Sequence, residues 1–150
     1  MLLAGTGSPF TDRGLEGVVR TAPSPTVLVV EDEVIVRLSI AEYLRGRGFR
    51  AFEAGNADEA VTLLRSGFVI DAVFSDVRIP GSMSGFGLAS WLRQAHPQIS
   101  VLLTSGYLHS AEVATQVGEK VALLEKPYSH ELVLQRIQEL LLASSADFHP

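Results

Sequence analysis

Residues 26–33 read Thr26-Val27-Leu28-Val29-Val30-Glu31-Asp32-Glu33, an apolar run that stops abruptly at three carboxylates. The run is long enough for a buried strand and too short for a helix. Four more short apolar runs follow, at residues 50–54, 72–75, 100–104 and 121–125. The first, fourth and fifth are nearly continuous Val and Leu, which suits central parallel strands covered on both faces. The second is weaker and suits a place nearer an edge.

Helical patterns fill the intervals. Val34, Leu38 and Ala41 share one stripe, as do Ala57, Ala60, Val61 and Leu64, and then Leu88, Trp91, Leu92 and Ala95. Asn56 with Glu59 three residues on resembles a capping box. Gly46 and Gly48 end the first helix and Pro97 the third. A fourth helix at 110–117 is short and poorly patterned, and a fifth spans about 129–143. Five alternating units predict an α/β fold, (βα)5, with a parallel sheet and right-handed crossovers. In a doubly wound order such as 2-1-3-4-5, the chemistry lies at the carboxyl ends of the strands.

The composition agrees. A chain of 150 residues with 47% hydrophobic and 19% charged residues suits one globular domain. Its net charge of −5 argues against nucleic acid as a partner. With no Cys there is no disulfide, thiolate metal site or Cys nucleophile. Ten of the basic residues are Arg and only two are Lys, Lys120 and Lys126, so each Lys asks for a reason. No apolar run approaches the ~18–20 residues of a membrane span, and no basic region precedes an apolar stretch at the start. The expectation is a cytoplasmic protein with no membrane partner. Residues 1–25, with four Gly and three Pro, read as a flexible extension, 26–143 as the domain and 144–150 as a tail. A domain of that size is expected to leave no room for a separate DNA-binding or catalytic domain.

Glu31 and Asp32 follow the first strand, Asp76 ends the third, Thr104 the fourth, and Lys126 follows the fifth. Clustered carboxylates repel unless a cation joins them, and oxygen ligands with open positions suit Mg2+. A carboxylate beside such an ion can attack phosphorus. The phosphoryl charge then needs a metal, an ammonium and a hydrogen-bond donor. On this reading Glu31 and Asp32 hold the metal, Asp76 is the nucleophile, Lys126 the ammonium and Thr104 the donor.

Four segments carry a family resemblance: residues 27–33, residues 74–81 (Phe-Ser-Asp-Val-Arg-Ile-Pro-Gly), residues 103–107 (Leu-Thr-Ser-Gly-Tyr) and residues 125–128 (Glu-Lys-Pro-Tyr). In that order they resemble the CheY-like receiver domain of two-component response regulators, over about residues 26–143. The resemblance implies a flavodoxin-like fold and Mg2+-dependent transfer from a phospho-histidine on a sensor histidine kinase or histidine phosphotransfer protein. It implies Asp76 as phospho-acceptor and Asp32 and Asp76 as direct Mg2+ ligands. Glu31 would bind through water, and the main-chain carbonyl of Arg78 completes the set. Thr104 and Lys126 would contact the phosphoryl group, and the Lys126–Pro127 peptide would be cis. Such a receiver is a signalling phospho-acceptor rather than an enzyme acting on a separate substrate, and its downstream protein is not named by the sequence.

Some residues depart from the pattern. Leu123 stands where the family usually has Tyr or Phe. The loop at residues 80–85 is one residue longer than the common form. Tyr107 and Tyr128 flank the site, each read as a packing aromatic or as a substitute for the missing ring. The final helix carries Val133, Ile137, Leu140 and Leu141 on one stripe, widened by Leu134, with Leu142 opposite. That stripe leaves open crowding under the N-terminal arm or ordinary exposed Leu, and a face for a partner or homodimer. A receiver-like interaction module without phosphotransfer, and a receiver fragment of a hybrid kinase, also stay open. Neither Lys is followed by Ser or Thr, which excludes a P-loop. The acidic first turn disfavours a dinucleotide site, and Arg78 stands where a haloacid-dehalogenase-type phosphatase has Asp. His96, His109, His130 and His149 are scattered and read as surface residues.

Overall fold

The computed structural model describes residues 24–106 and 121–147, with side chains described through residue 144. The extension up to residue 23, the expected helix at 110–117, Tyr107, His109, Lys120 and His149 lie outside the described residues. The described elements run β1 (Thr26–Val30), α1 (Val34–Arg45), β2 (Arg50–Ala54), α2 (Ala57–Arg65), β3 (Ala72–Asp76), α3 (Gly85–Ala95), β4 (Ser100–Ser105), β5 (Val121–Glu125) and α4 (His130–Asp147). The strands form one parallel sheet in the order β2-β1-β3-β4-β5. This is the doubly wound order expected from the alternation of units. No helix among the described residues is long and apolar enough to cross a membrane.

The strand alternation divides the core into two layers. Leu28 and Val30 of β1 face α2 and α3, where Ala60, Leu64, Leu88, Ala89 and Leu92 close the layer. Val27 and Val29 face α1 and α4, against Ile40, Ala41, Leu44, Val133 and Ile137. Each fully buried Val, Leu or Ile contributes roughly 1.5–3 kcal/mol. Surface ion pairs such as Arg45–Glu42 contribute about 0–1 kcal/mol, so the two apolar layers hold the fold.

Two expectations about burial are corrected here. The inward face of α1 is Ile40, Ala41 and Leu44, while Val34, Ile35 and Leu38 are exposed, Ile35 to 77%. Apolar residues occur all around the start of this helix, so periodicity alone placed Ala41 correctly but not Val34 and Leu38. Its first turn also begins at the carboxyl rim, where β1 has already ended. Secondly, β5 is the edge strand that the order 2-1-3-4-5 requires and not the central one its near-continuous Val and Leu suggested, with three of its five residues half-buried. An apolar run reports what covers its faces, and does not report whether both of its edges are paired.

Other local readings hold. Asn56 Oδ1 accepts from the Glu59 N–H at 2.8 Å, and the Glu59 carboxylate reaches back to the Gly55 N–H at 2.7 Å. Gly46 caps α1, Gly48 takes a positive φ beyond it, and α3 stops at His96 before Pro97. The final helix runs on to Asp147, past its expected end near residue 143. Its stripe is mainly the core-facing one. Val133 and Ile137 are buried and Leu140 and Leu141 partly so, while Leu142 is 72% exposed. His130 is not a plain surface residue: its Nε2 lies 3.1 Å from Ser39 Oγ and its ring stands against Tyr43, joining α4 to α1.

Gly85 opens α3 directly against the end of β3. A Cβ there would run into the Asp76 carbonyl oxygen and stand 2.8 Å from Val77 Cα. Both obstacles are backbone and cannot swing aside. Gly85→Ala is therefore expected to destabilise the protein by about 1–3 kcal/mol, measured as a lower urea midpoint with an unchanged slope.

Candidate functional site

The register of the sheet builds the site. Asp76 ends β3 opposite Thr104 of β4, and Val77 N–H bonds to the Thr104 carbonyl at 2.9 Å. On the other side of β4, Ser105 pairs with Glu125, and Lys126 N–H donates to the Ser105 carbonyl at 2.9 Å. The Lys126–Pro127 peptide is cis, as expected. The Lys126 ammonium reaches across to Asp76 Oδ2 at 2.6 Å. The other oxygen, Oδ1, accepts from the Arg78 N–H at 3.0 Å. Asp76 is buried, and each carboxylate oxygen meets a donor.

Glu31 is also buried, and its Oε2 accepts from the Glu33 N–H at 3.0 Å. Burial pushes the Glu31 carboxyl above its ordinary value. The Glu33 N–H opposes that shift, Asp32 and Asp76 add to it, and Lys126 pulls it back down. Asp32 is exposed beside it. One ammonium thus faces three carboxylates, and a hard cation on oxygen ligands would relieve the excess. Among the described residues no three acidic or imidazole side chains close into a ready cage. The donor set fits Mg2+, which keeps several waters and needs few protein ligands.

Thr104 Oγ1 is buried and has no hydrogen-bond partner among the described residues. An unpaired buried hydroxyl costs about 1–3 kcal/mol, so it marks a place where an acceptor would be welcome. Tyr128 packs edge-on to Phe74, with ring centroids 6.0 Å apart. Its hydroxyl is pushed up to about 12 by burial and by the charges of Glu31 and Asp76. Leu123 is half-buried against the α2–α3 layer.

All the expected site residues gather at this rim. Sequence reading missed Arg37, whose Nη1 donates to the Glu31 carbonyl at 2.9 Å while its Nε pairs with Glu53 at 3.3 Å. The available signal was its place as the lone charged residue in an apolar stretch, residues 34–41.

The family model of the response regulator receiver domain matches residues 27–138. The chain belongs to that family. It is 33% identical over 132 residues to the sensor kinase CckA of Brucella abortus, covering 87% of this chain. It is 32% identical over 118 residues to a cyclic di-GMP phosphodiesterase of Thermotoga maritima, covering 77% of this chain. This chain spans 14% and 31% of the length of those relatives. Among solved structures, a response regulator receiver protein from Sinorhizobium medicae aligns with a TM-score of 0.74 at 27% identity, covering 81% of this chain and 97% of that one. A CheY-like receiver from Methanospirillum hungatei has the same fold, with a TM-score of 0.74 at 21% identity over 83% of this chain and 98% of its own.

The orphaned hydroxyl makes a stability prediction for the unmodified receiver. Thr104→Val keeps the shape and removes the unpaired group. It is expected to raise the unfolding free energy by about 1 kcal/mol, read from urea denaturation.

Proposed function

We propose that this receiver accepts a phosphoryl group on Asp76 from a phospho-histidine, in a reaction that requires Mg2+. The observation that carries the proposal is the Lys126 ammonium 2.6 Å from the Asp76 carboxylate, beside the unpaired hydroxyl of Thr104 in register with Asp76. A carboxylate oxygen of Asp76 attacks phosphorus. The phosphorus–nitrogen bond to the donor imidazole breaks, and the imidazole keeps the electron pair. The product is an acyl phosphate, which water later hydrolyses. Lys126 passes from the carboxylate to a phosphoryl oxygen, and Thr104 donates to another. Asp32, Asp76 and the Arg78 carbonyl would hold Mg2+, with Glu31 acting through water. When bound, the ion would supply positive charge to the transferring group. This is self-catalysed modification of the protein, not turnover of a separate substrate.

The donor we propose is a sensor histidine kinase or a histidine phosphotransfer protein. Val34, Ile35 and Leu38, exposed on α1 just after Glu31 and Asp32, offer it an apolar contact beside the acidic pocket. The output we propose is contact with a downstream protein. The half-buried Leu123 offers no aromatic rotamer to follow Thr104.

Acetyl phosphate with Mg2+ should add one phosphoryl mass to the intact protein, and Asp76→Asn or EDTA should abolish the gain. An equal gain in Asp76→Asn would refute the assignment. Ile35→Asp should slow transfer from a phosphorylated donor protein about ten-fold or more. Its labelling by acetyl phosphate should stay at the wild-type rate, as measured by phosphoprotein gel.

A further inference from the structure

The extra residue in the loop after Asp76 has a place in the fold. Residues 77–84 leave the acceptor, pass Arg78, whose N–H donates to Asp76 Oδ1 at 3.0 Å, and return to open α3. Both ends are tied: Val77 N–H to the Thr104 carbonyl at 2.9 Å, and Gly85 N–H to the Val77 carbonyl at 2.8 Å. The middle is tied to a different element. Ser82 Oγ donates to Asp58 Oδ1 at 2.7 Å, and Ser82 N–H to Asp58 Oδ2 at 3.2 Å. Ala57 N–H donates to the Pro80 carbonyl at 3.3 Å. Asp58 lies in the first turn of α2, where its charge suits the helix dipole.

Gly81 lets the loop come this close. It sits at φ +115°, and a Cβ there would stand 2.9 Å from Asp58 Oδ2. A glycine, a hydroxyl and a carboxylate from two separate elements thus meet in one contact. Arg78 lies between two anchors, its own N–H on Asp76 Oδ1 and the Pro80–Ser82 attachment to α2.

We propose that Asp58 is a positioning residue for the acceptor loop. By clasping Ser82 it would hold the loop so that the Arg78 carbonyl can join Asp76 in holding the cation. The inference deepens the reading of Asp76 as a Mg2+-dependent phospho-acceptor and depends on it. Without the clasp the loop samples positions in which the carbonyl is turned away, and apparent affinity falls by the fraction of time the loop is competent. The clasp is exposed at the surface, so the effect is a few-fold and not orders of magnitude.

The test uses the full chain and compares Asp58→Ala, Ser82→Ala, the double substitution and Asp58→Asn. Mg2+ binding is measured by calorimetry and loop protection by amide exchange over residues 77–84. Asp58→Ala should raise the Mg2+ dissociation constant about three- to ten-fold and speed exchange in the loop. The double substitution should be no worse than Asp58→Ala. Asp58→Asn, which keeps an oxygen for Ser82 but loses the charge, should stay within about two-fold of wild type. At saturating Mg2+ the rate of acetyl phosphate labelling should match wild type, because positioning acts on affinity and not on the transfer step. Unchanged Mg2+ affinity in Asp58→Ala overturns the clasp, as does Asp58→Asn behaving like Ala, additive single effects or a lost saturated rate. If wild type itself binds no Mg2+, the phospho-acceptor reading falls and the clasp proposal with it.

Discussion

A carboxylate taken out of water must find positive charge or bonded hydrogens, or it will not stay ionised. Asp76 finds Lys126 at 2.6 Å and the Arg78 N–H at 3.0 Å. The rest of the rim is arranged around that need. The parallel sheet brings the carboxyl ends of β1, β3, β4 and β5 to one side, so residues more than twenty positions apart in the chain meet there. The two apolar layers hold the strands in register, and register in turn sets Thr104 beside Asp76.

The ion pair does not balance the site. Glu31, Asp32 and Asp76 outnumber Lys126, and the raised Glu31 carboxyl records the imbalance together with burial. The unpaired Thr104 hydroxyl records a second unmet demand, this time for an acceptor. A cation would meet the first demand and an acceptor oxygen the second. Leaving both demands unmet costs the fold some stability, as is common at functional sites.

Much of this was legible along the chain. Asp76 and Lys126 announced themselves because each follows an apolar run too short for a helix, and because Lys is scarce. The capping pair Asn56–Glu59 was legible because its partners lie within one turn. The inward face of α1 was not, since Val34, Ile35, Val36, Leu38 and Ile40 supply apolar residues in several directions. The edge position of β5 followed from the strand order and not from its own residues, because Val-Ala-Leu-Leu reads alike in an edge and a central strand. The Ser39–His130 and Asp58–Ser82 contacts were hidden for a different reason: each joins elements whose distance apart in the chain carries no pattern.

Composition and local order therefore determined the alternation of elements, the acidic rim and the chemical types gathered on it. These depend on side-chain periodicity and on which residues end each strand, both of which are written locally. Tertiary structure decided which oxygen of Asp76 meets which donor, that the Thr104 hydroxyl is left without a partner among the described residues, and that the loop after Asp76 is fastened to α2. Those outcomes depend on distances of a few tenths of an ångström between elements remote in sequence. They are set only when both core layers have closed around the sheet.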